Sequence, residues 1–177
     1  MTELAIQIRR GEPADAPALS ELAARIFRET FESSNTPEDL AAFINSAYGV
    51  RQQTGELRDP DVITLLAEGP AGLAAYAQVR RNPPPECVTG EEPIELLRFY
   101  VDRPFQGQGL SQRLMEAVHA AARELGGRTL WLGVWEHNER AKAFYRKCGL
   151  REVGEHDFWV GSDRQIDRIM VTEVRAG

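Results

Sequence analysis

Apolar and polar positions along the chain alternate with two periods, and the changes between them mark the elements. Ile6 and Ile8 alternate with polar neighbours before Gly11, a period of two that predicts a short first strand. From Asp15 the period becomes helical, with Leu19, Leu22, Ala23, Ile26 and Phe27 on one face, so a first helix should run to about Thr30. Thr36-Pro37-Glu38-Asp39 reads as an N-cap, a first-turn proline and acids at the positive helix end, opening a second helix with Leu40, Phe43 and Ile44. Val50 to Leu57 predicts a short third helix. Val62 to Ala67 and Gly72 to Val79 are strand-like runs on either side of Gly69-Pro70-Ala71, which predicts a hairpin. Pro83-Pro84-Pro85 and Gly90 make Arg80 to Glu92 a loop.

The second half is more regular. Ile94 to Val101 predicts a strand with Glu95, Leu97, Phe99 and Val101 on one face and Ile94, Leu96, Arg98 and Tyr100 on the other. It ends at Asp102-Arg103-Pro104. Leu110, Leu114, Val118, Ala121, Ala122 and Leu125 form a helical stripe closed by Gly126-Gly127. Thr129 to Trp135 is a strand. Asn138 then caps a short helix with Ala141, Phe144, Tyr145 and Cys148 on one face and Gly149 at its end. Leu150 to Val153 and about Gln165 to Val174 complete the strands.

A length of 177 residues, 42% hydrophobic and 27% charged, fits one globular domain over 1–177. No apolar run approaches the roughly 18 to 20 residues of a membrane span, and Met1 to Arg10 has no hydrophobic secretory core, so the expected location is cytoplasmic. Cys87 and Cys148 lack the close Cys or His neighbours of a zinc site, so reduced thiols and no metal are expected. Between Glu12 and Asp61 ten acids face four bases, which accounts for the whole net charge of −6. This acidic half argues against nucleic acid and suits a cationic substrate, although solvated acidic helices would give the same pattern.

A strand that runs through a glycine-rich turn into a helix leaves N–H groups unpaired at the positive end of the helix dipole, where phosphate binds. Gln106-Gly107-Gln108-Gly109-Leu110-Ser111 has this form. It lacks the Gly-Lys-Ser/Thr of a nucleoside-triphosphate loop, and Gln112 stands where a dinucleotide fingerprint needs its third glycine. On spacing alone two glycines before a helix are weak evidence, and a plain structural turn is the commoner reading.

The same loop resembles the acetyl-CoA loop of the GNAT acetyltransferase superfamily, Gln/Arg-x-x-Gly-x-Gly/Ala, with Gln106 and Gly109 matching and Ser111 as a small departure. Asn138-x-x-Ala141-x-x-Phe144-Tyr145-x-x-x-Gly149 is similar to the superfamily's second signature. Glu95 to Val101, Trp131 to Glu139 and Gly154 to Phe158 further resemble PaiA-type polyamine N-acetyltransferases, within roughly residues 94 to 172. The resemblance implies an α/β (α+β) GNAT fold: a central mixed, mostly antiparallel twisted sheet of about seven strands flanked by about four helices. It implies transfer of an acetyl group from acetyl-CoA to a primary amine, with a polyamine such as spermidine or spermine as acceptor. Gln106, Gly107, Gln108, Gly109, Leu110 and Ser111 would hold the pyrophosphate. The backbone of Phe99, Tyr100 and Val101 would pair with the pantetheine, beside Asn138, Ala141 and Tyr145. Dimers are common in the superfamily, which leaves a homodimer open.

Such a transfer needs a neutral amine and a protonated leaving thiol. An alkylamine with a pKa of about 10.4 is neutral in only about one molecule per thousand near pH 7.4, so a base is useful. Glu95, at a strand position where several GNAT enzymes carry a catalytic glutamate, is the first candidate; a strand-end glutamate in solvent is the alternative. His137, next to Glu136, is the second candidate base, with a polar turn residue as its alternative. Tyr145 is the candidate acid, while Phe144, Trp131 and Trp135 are expected to pack. Two other functions stay open: acetylation of a peptide N-terminus, a lysine or an antibiotic amine, and acyl-CoA sensing without turnover.

Overall fold

The computed structural model describes residues 5–177, so Met1 to Leu4 of the stretch read for a secretory core lie outside the described residues. The strands are β1 (Gln7–Arg10), β2 (Val62–Gly69), β3 (Gly72–Arg80), β4 (Pro93–Val101), β5 (Thr129–Trp135), β6 (Arg151–Val160) and β7 (Asp163–Glu173). The helices are α1 (Ala16–Phe31), α2 (Pro37–Tyr48), α3 (Val50–Arg58), α4 (Leu110–Glu124) and α5 (Glu139–Lys147). The strands form one sheet in the order β1-β2-β3-β4-β5-β7-β6, antiparallel except where β4 meets β5. This is the mixed, mostly antiparallel sheet the sequence predicts. Among the described residues no helix is long and apolar enough to cross a membrane.

The helices pack on the sheet in two layers because their apolar stripes differ in partner. Leu114, Val118 and Ala122 of α4, with Tyr145 and Cys148 at α5, bury against Ala75, Ala77, Val79, Leu96 and Leu132 on one face. Leu19, Leu22, Ala23 and Phe27 of α1 and Leu40 and Ile44 of α2 bury against Leu66, Tyr76 and Val160 on the other. The Thr36 hydroxyl accepts from the Asp39 N–H at 3.2 Å, which starts α2 as the sequence predicts. Two ties across the fold fix this second layer. Arg25 grips Asp102 through two hydrogen bonds of 3.0 and 2.8 Å, binding α1 to the end of β4. Asp39 accepts from the Ser162 N–H (2.7 Å) and hydroxyl (2.9 Å), binding α2 to the β6–β7 turn.

One residue of β4 corrects the predicted alternation. Gln78 pairs with Arg98 but Val79 pairs with Leu96, so Leu97 is an extra residue, a β-bulge. The bulge exchanges the faces of everything after it. Glu95 therefore shares a face with Arg98 and Tyr100, while Phe99 and Val101 join Ile94 and Leu96 against α4 and α5. Beyond the bulge the strand also leaves its parallel neighbour. Only Pro93, Ile94 and Glu95 pair with β5, so the two strands splay apart and open a slot between Leu96–Val101 and Leu132–Trp135.

β6 is longer than the Leu150 to Val153 expected. Ion pairs of Glu155 with Arg168 (2.6 Å) and Asp157 with Arg164 (2.7 Å) carry it to Val160 as a charged edge strand. The Arg80 to Glu92 loop packs Val88 on Trp131, Ile169 and Val171, which buries the first of the two tryptophans as predicted.

Candidate active site

A cavity of about 850 Å³ passes through the slot and reaches both faces of the sheet. On the α4–α5 face it is bounded by Gln106, Gly107, Gly109, Ser111, Gln112, Asn138, Ala141, Phe144 and Tyr145. The other end is walled by Phe27, Thr30, Phe31, Phe43, Tyr48, Arg98, Tyr100, Trp135, Phe158 and Asp167.

The loop before α4 is built for close approach. Gly107 and Gly109 stand at φ 75° and 80°, the left-handed region that side chains resist, and the turn they make aims the N–H groups of Gly107 to Gln112 away from any acceptor among the described residues. The Gln106 amide donates to the Val101 carbonyl at 2.9 Å and ties the loop to β4. Gln108 folds back onto the Pro104 carbonyl (2.8 Å), and the Leu110 side chain is buried in the core. Neither of these two lines the cavity, although both were expected at the cofactor; only their backbone stays with the loop. Arg103, Arg140 and Lys147 also line the cavity without a carboxylate partner among the described residues, an electropositive rim that the motifs did not mark.

Three of the residues predicted for chemistry are placed very differently. Tyr145 is buried, lines the cavity and meets the Phe99 ring edge-on, with centroids 6.2 Å apart. Burial raises its phenol above the ordinary value, so it stays protonated at neutral pH. Glu95 is buried but outside the cavity wall, held by the Arg80 guanidinium at 2.5 Å and by the Asn82 amide at 3.0 Å. The face exchange at Leu97 is what separates it from Phe99. His137 projects into solvent, its side chain 70% exposed and 3.5 Å from Glu136, and it does not line the cavity. Asn138 lines the cavity and caps α5, accepting from the Ala141 N–H at 3.2 Å.

Trp135 and Asp167 are among the cavity residues that escaped sequence reasoning. Trp135, expected to pack like Trp131, turns into the cavity beside Phe31, at 5.4 Å between ring centroids. Asp167 on β7 lies opposite Trp135 in register, is 8% exposed and faces the cavity next to Gly133. A Cβ on Gly133 would lie 2.9 Å from its carboxylate Oδ2 and 3.0 Å from His156 Nε2, so the glycine keeps this corner open. Burial pushes the Asp167 carboxyl up to about 6, against a smaller opposing pull from His156.

The fold has counterparts among solved structures, and the sequence has relatives. A structure of the PaiA N-acetyltransferase from Thermoplasma acidophilum in complex with coenzyme A superposes with a TM-score of 0.77 at 20% identity, over 96% of this chain and 99% of that one. An uncharacterised N-acetyltransferase of Lactobacillus delbrueckii subsp. lactis is 32% identical over 93% of this chain and 95% of its own length. A probable spermine N(1)-acetyltransferase of Bacillus subtilis subsp. natto is 32% identical over 46% of this chain and 50% of its own. The profile described as the acetyltransferase (GNAT) family matches residues 17–150, taking in the helices α1 and α2, the bulged strand, the glycine loop and α5. The chain therefore belongs to the acetyltransferase (GNAT) family.

Proposed function

We propose that the protein transfers an acetyl group from acetyl-CoA to a primary amine, with a polyamine such as spermidine or spermine as the acceptor class. The observation that carries this reading is the through-sheet cavity, with an anion-binding loop and unpaired cations at one end and an aromatic, carboxylate-bearing chamber at the other. The fit to coenzyme A is favourable. Free N–H groups of Gly107 to Gln112 meet a pyrophosphate at the start of α4, and Arg103, Arg140 and Lys147 add positive charge for the phosphates. Leu96 to Val101, which among the described residues make no pair with β5, offer backbone groups to an extended pantetheine, apart from the Val101 carbonyl that Gln106 already holds. The bound donor supplies the acetyl thioester.

At the other end the rings of Phe27, Phe31, Phe43, Tyr48, Trp135 and Phe158 form a chamber suited to alkyl chains and to cations over aromatic faces. The spermine acetyltransferase relative supports a polyamine on the same chemistry. Tyr145 donates the proton to the leaving thiolate, a task for which a phenol kept neutral by burial is suited. The test is thiol release from acetyl-CoA with an amine panel led by spermidine and spermine, repeated with Tyr145→Phe. Rapid release with a polyamine and a loss of about 10² or more in kcat for the variant are expected. Acetylation of peptides in preference to polyamines would sink the acceptor class, and unchanged kcat in Tyr145→Phe the acid.

A further inference from the structure

We propose that Asp167 is the general base of this transfer, the residue that takes the acceptor's proton; the inference rests on the amine reading above and names a residue that no motif marks. Geometry carries it. Two carboxylates line the cavity, and Glu29 is a rim residue, 45% exposed and 3.6 Å from Arg25. Asp167 is the buried one, and among the described residues no hydrogen bond or ion pair holds its side-chain oxygens. The other acids near the slot already have partners: buried Glu95 is bound by Arg80 and Asn82, buried Asp102 by Arg25, and half-buried Glu56 by Arg98 and Gln78. A buried carboxylate without partners carries an unpaid desolvation cost that an ammonium entering the chamber relieves.

The surroundings suit a proton acceptor. From β5, Trp135 and the open corner at Gly133 are uncharged. From β6 the half-buried His156 faces Asp167 across the ladder, and from β4 Tyr100 presents its phenol. The α1 wall contributes Thr30 and Phe31 besides Glu29, and Arg98 across the cavity is occupied by Glu56 and Gln78. Among the described residues no arginine or lysine bonds Asp167, and the pull of His156 is smaller than the push of burial. Asp167 takes one proton from the bound ammonium. The freed lone pair forms the C–N bond at the thioester carbonyl carbon as the C–S bond breaks, and Tyr145 protonates the departing sulfur. The amide nitrogen's surplus proton restores Tyr145 through water, and Asp167 gives its own proton to solvent past His156. The balance is ammonium plus thioester to amide, thiol and one proton.

The experiment is kcat and kcat/KM for spermidine against pH with saturating acetyl-CoA, for wild type, Asp167→Asn and Asp167→Glu, with coenzyme A binding measured by calorimetry. Wild-type kcat/KM for spermidine should climb through pH about 6 to a plateau, where the base of the free enzyme is ionised. Asp167→Asn should lose about 10²- to 10⁴-fold in kcat and lose that rise, bind coenzyme A as tightly as wild type, and be rescued in part by Asp167→Glu. Asp167→Asn with kcat within about threefold of wild type, or with the rise near pH 6 intact, overturns the base while leaving the amine reading and Tyr145 standing. Absence of amine acetylation by the wild type overturns both. Should Asp167→Asn fail to fold, Asp167→Ser takes its place in the same comparison.

Discussion

Glu95 and Asp167 are both buried acids, and their surroundings assign them opposite work. Glu95 sits in an ion pair with a second donor, so Glu95→Gln removes the charge that Arg80 and Asn82 were arranged around. The expected result is a loss of about 1 to 3 kcal/mol in urea unfolding with kcat within about threefold of wild type. Asp167 has no such support. The folded protein holds its proton up to about 6, more tightly than the unfolded chain with its ordinary value of 3.8. The ionised form therefore lowers stability above pH 6, by on the order of 2 to 3 kcal/mol, and the deficit fades as pH falls through 6 towards 4. Asp167→Asn should melt at a higher temperature than wild type at pH 7.5, and the gap should close near pH 4. Sequence reading marked Tyr145 because its helix carries a spaced signature and Glu95 because of its strand position in the family, and it did not single out Asp167, because a lone aspartate in a strand carries no local pattern. Only the sheet register, which sets Asp167 opposite Trp135, brings it to the slot.

At the scale of elements, the loop before α4 and the bulge in β4 do most to make the site. Gly109 precedes the helix in a left-handed conformation that costs a side chain roughly 1 to 2 kcal/mol, more for a β-branched one. Gly109→Val should weaken coenzyme A binding at least tenfold by calorimetry, because the loop must rotate its N–H groups away to relieve the strain. This loop was readable in advance, since its glycines and the helical stripe after it are local features. The bulge was not, because an extra residue is defined only against the partner strand. Its one trace in the sequence is the adjacent pair Leu96-Leu97, which breaks an alternation otherwise kept from Ile94 to Val101. The C-terminal half of β6 was missed for a related reason: the charged Glu155 and Asp157 carry no strand pattern of their own, and their partners Arg168 and Arg164 lie on β7.

Across the whole molecule, the chamber draws on Phe27, Phe43, Tyr48, Trp135, Phe158 and Asp167, spread over most of the chain, and such an assembly leaves no mark at any one place in the sequence. The two faces of the sheet were readable from the helical stripes. The wall they enclose was not, because Trp131 and Trp135 look alike in sequence and only the loop over one and the slot beside the other separate their fates. We propose that the chain is one cooperative unit, since Arg25–Asp102 and Asp39–Ser162 bridge parts far apart in sequence; a single transition in calorimetric unfolding is expected. The three residue pairs between β4 and β5 then have a mechanical meaning. On the proposed reading they are the pivot of a clip whose jaws are β1–β4 and β5–β7, and an extended ligand between the jaws would take the place of the hydrogen bonds that the strands give up. Coenzyme A at about 100 times its Kd should add about 2.7 kcal/mol to the unfolding free energy. Hydrogen exchange should slow most at Leu96 to Val101 and Leu132 to Trp135, so that the enzyme is at its stiffest with its donor in place and loosens first along the jaws when the donor is gone.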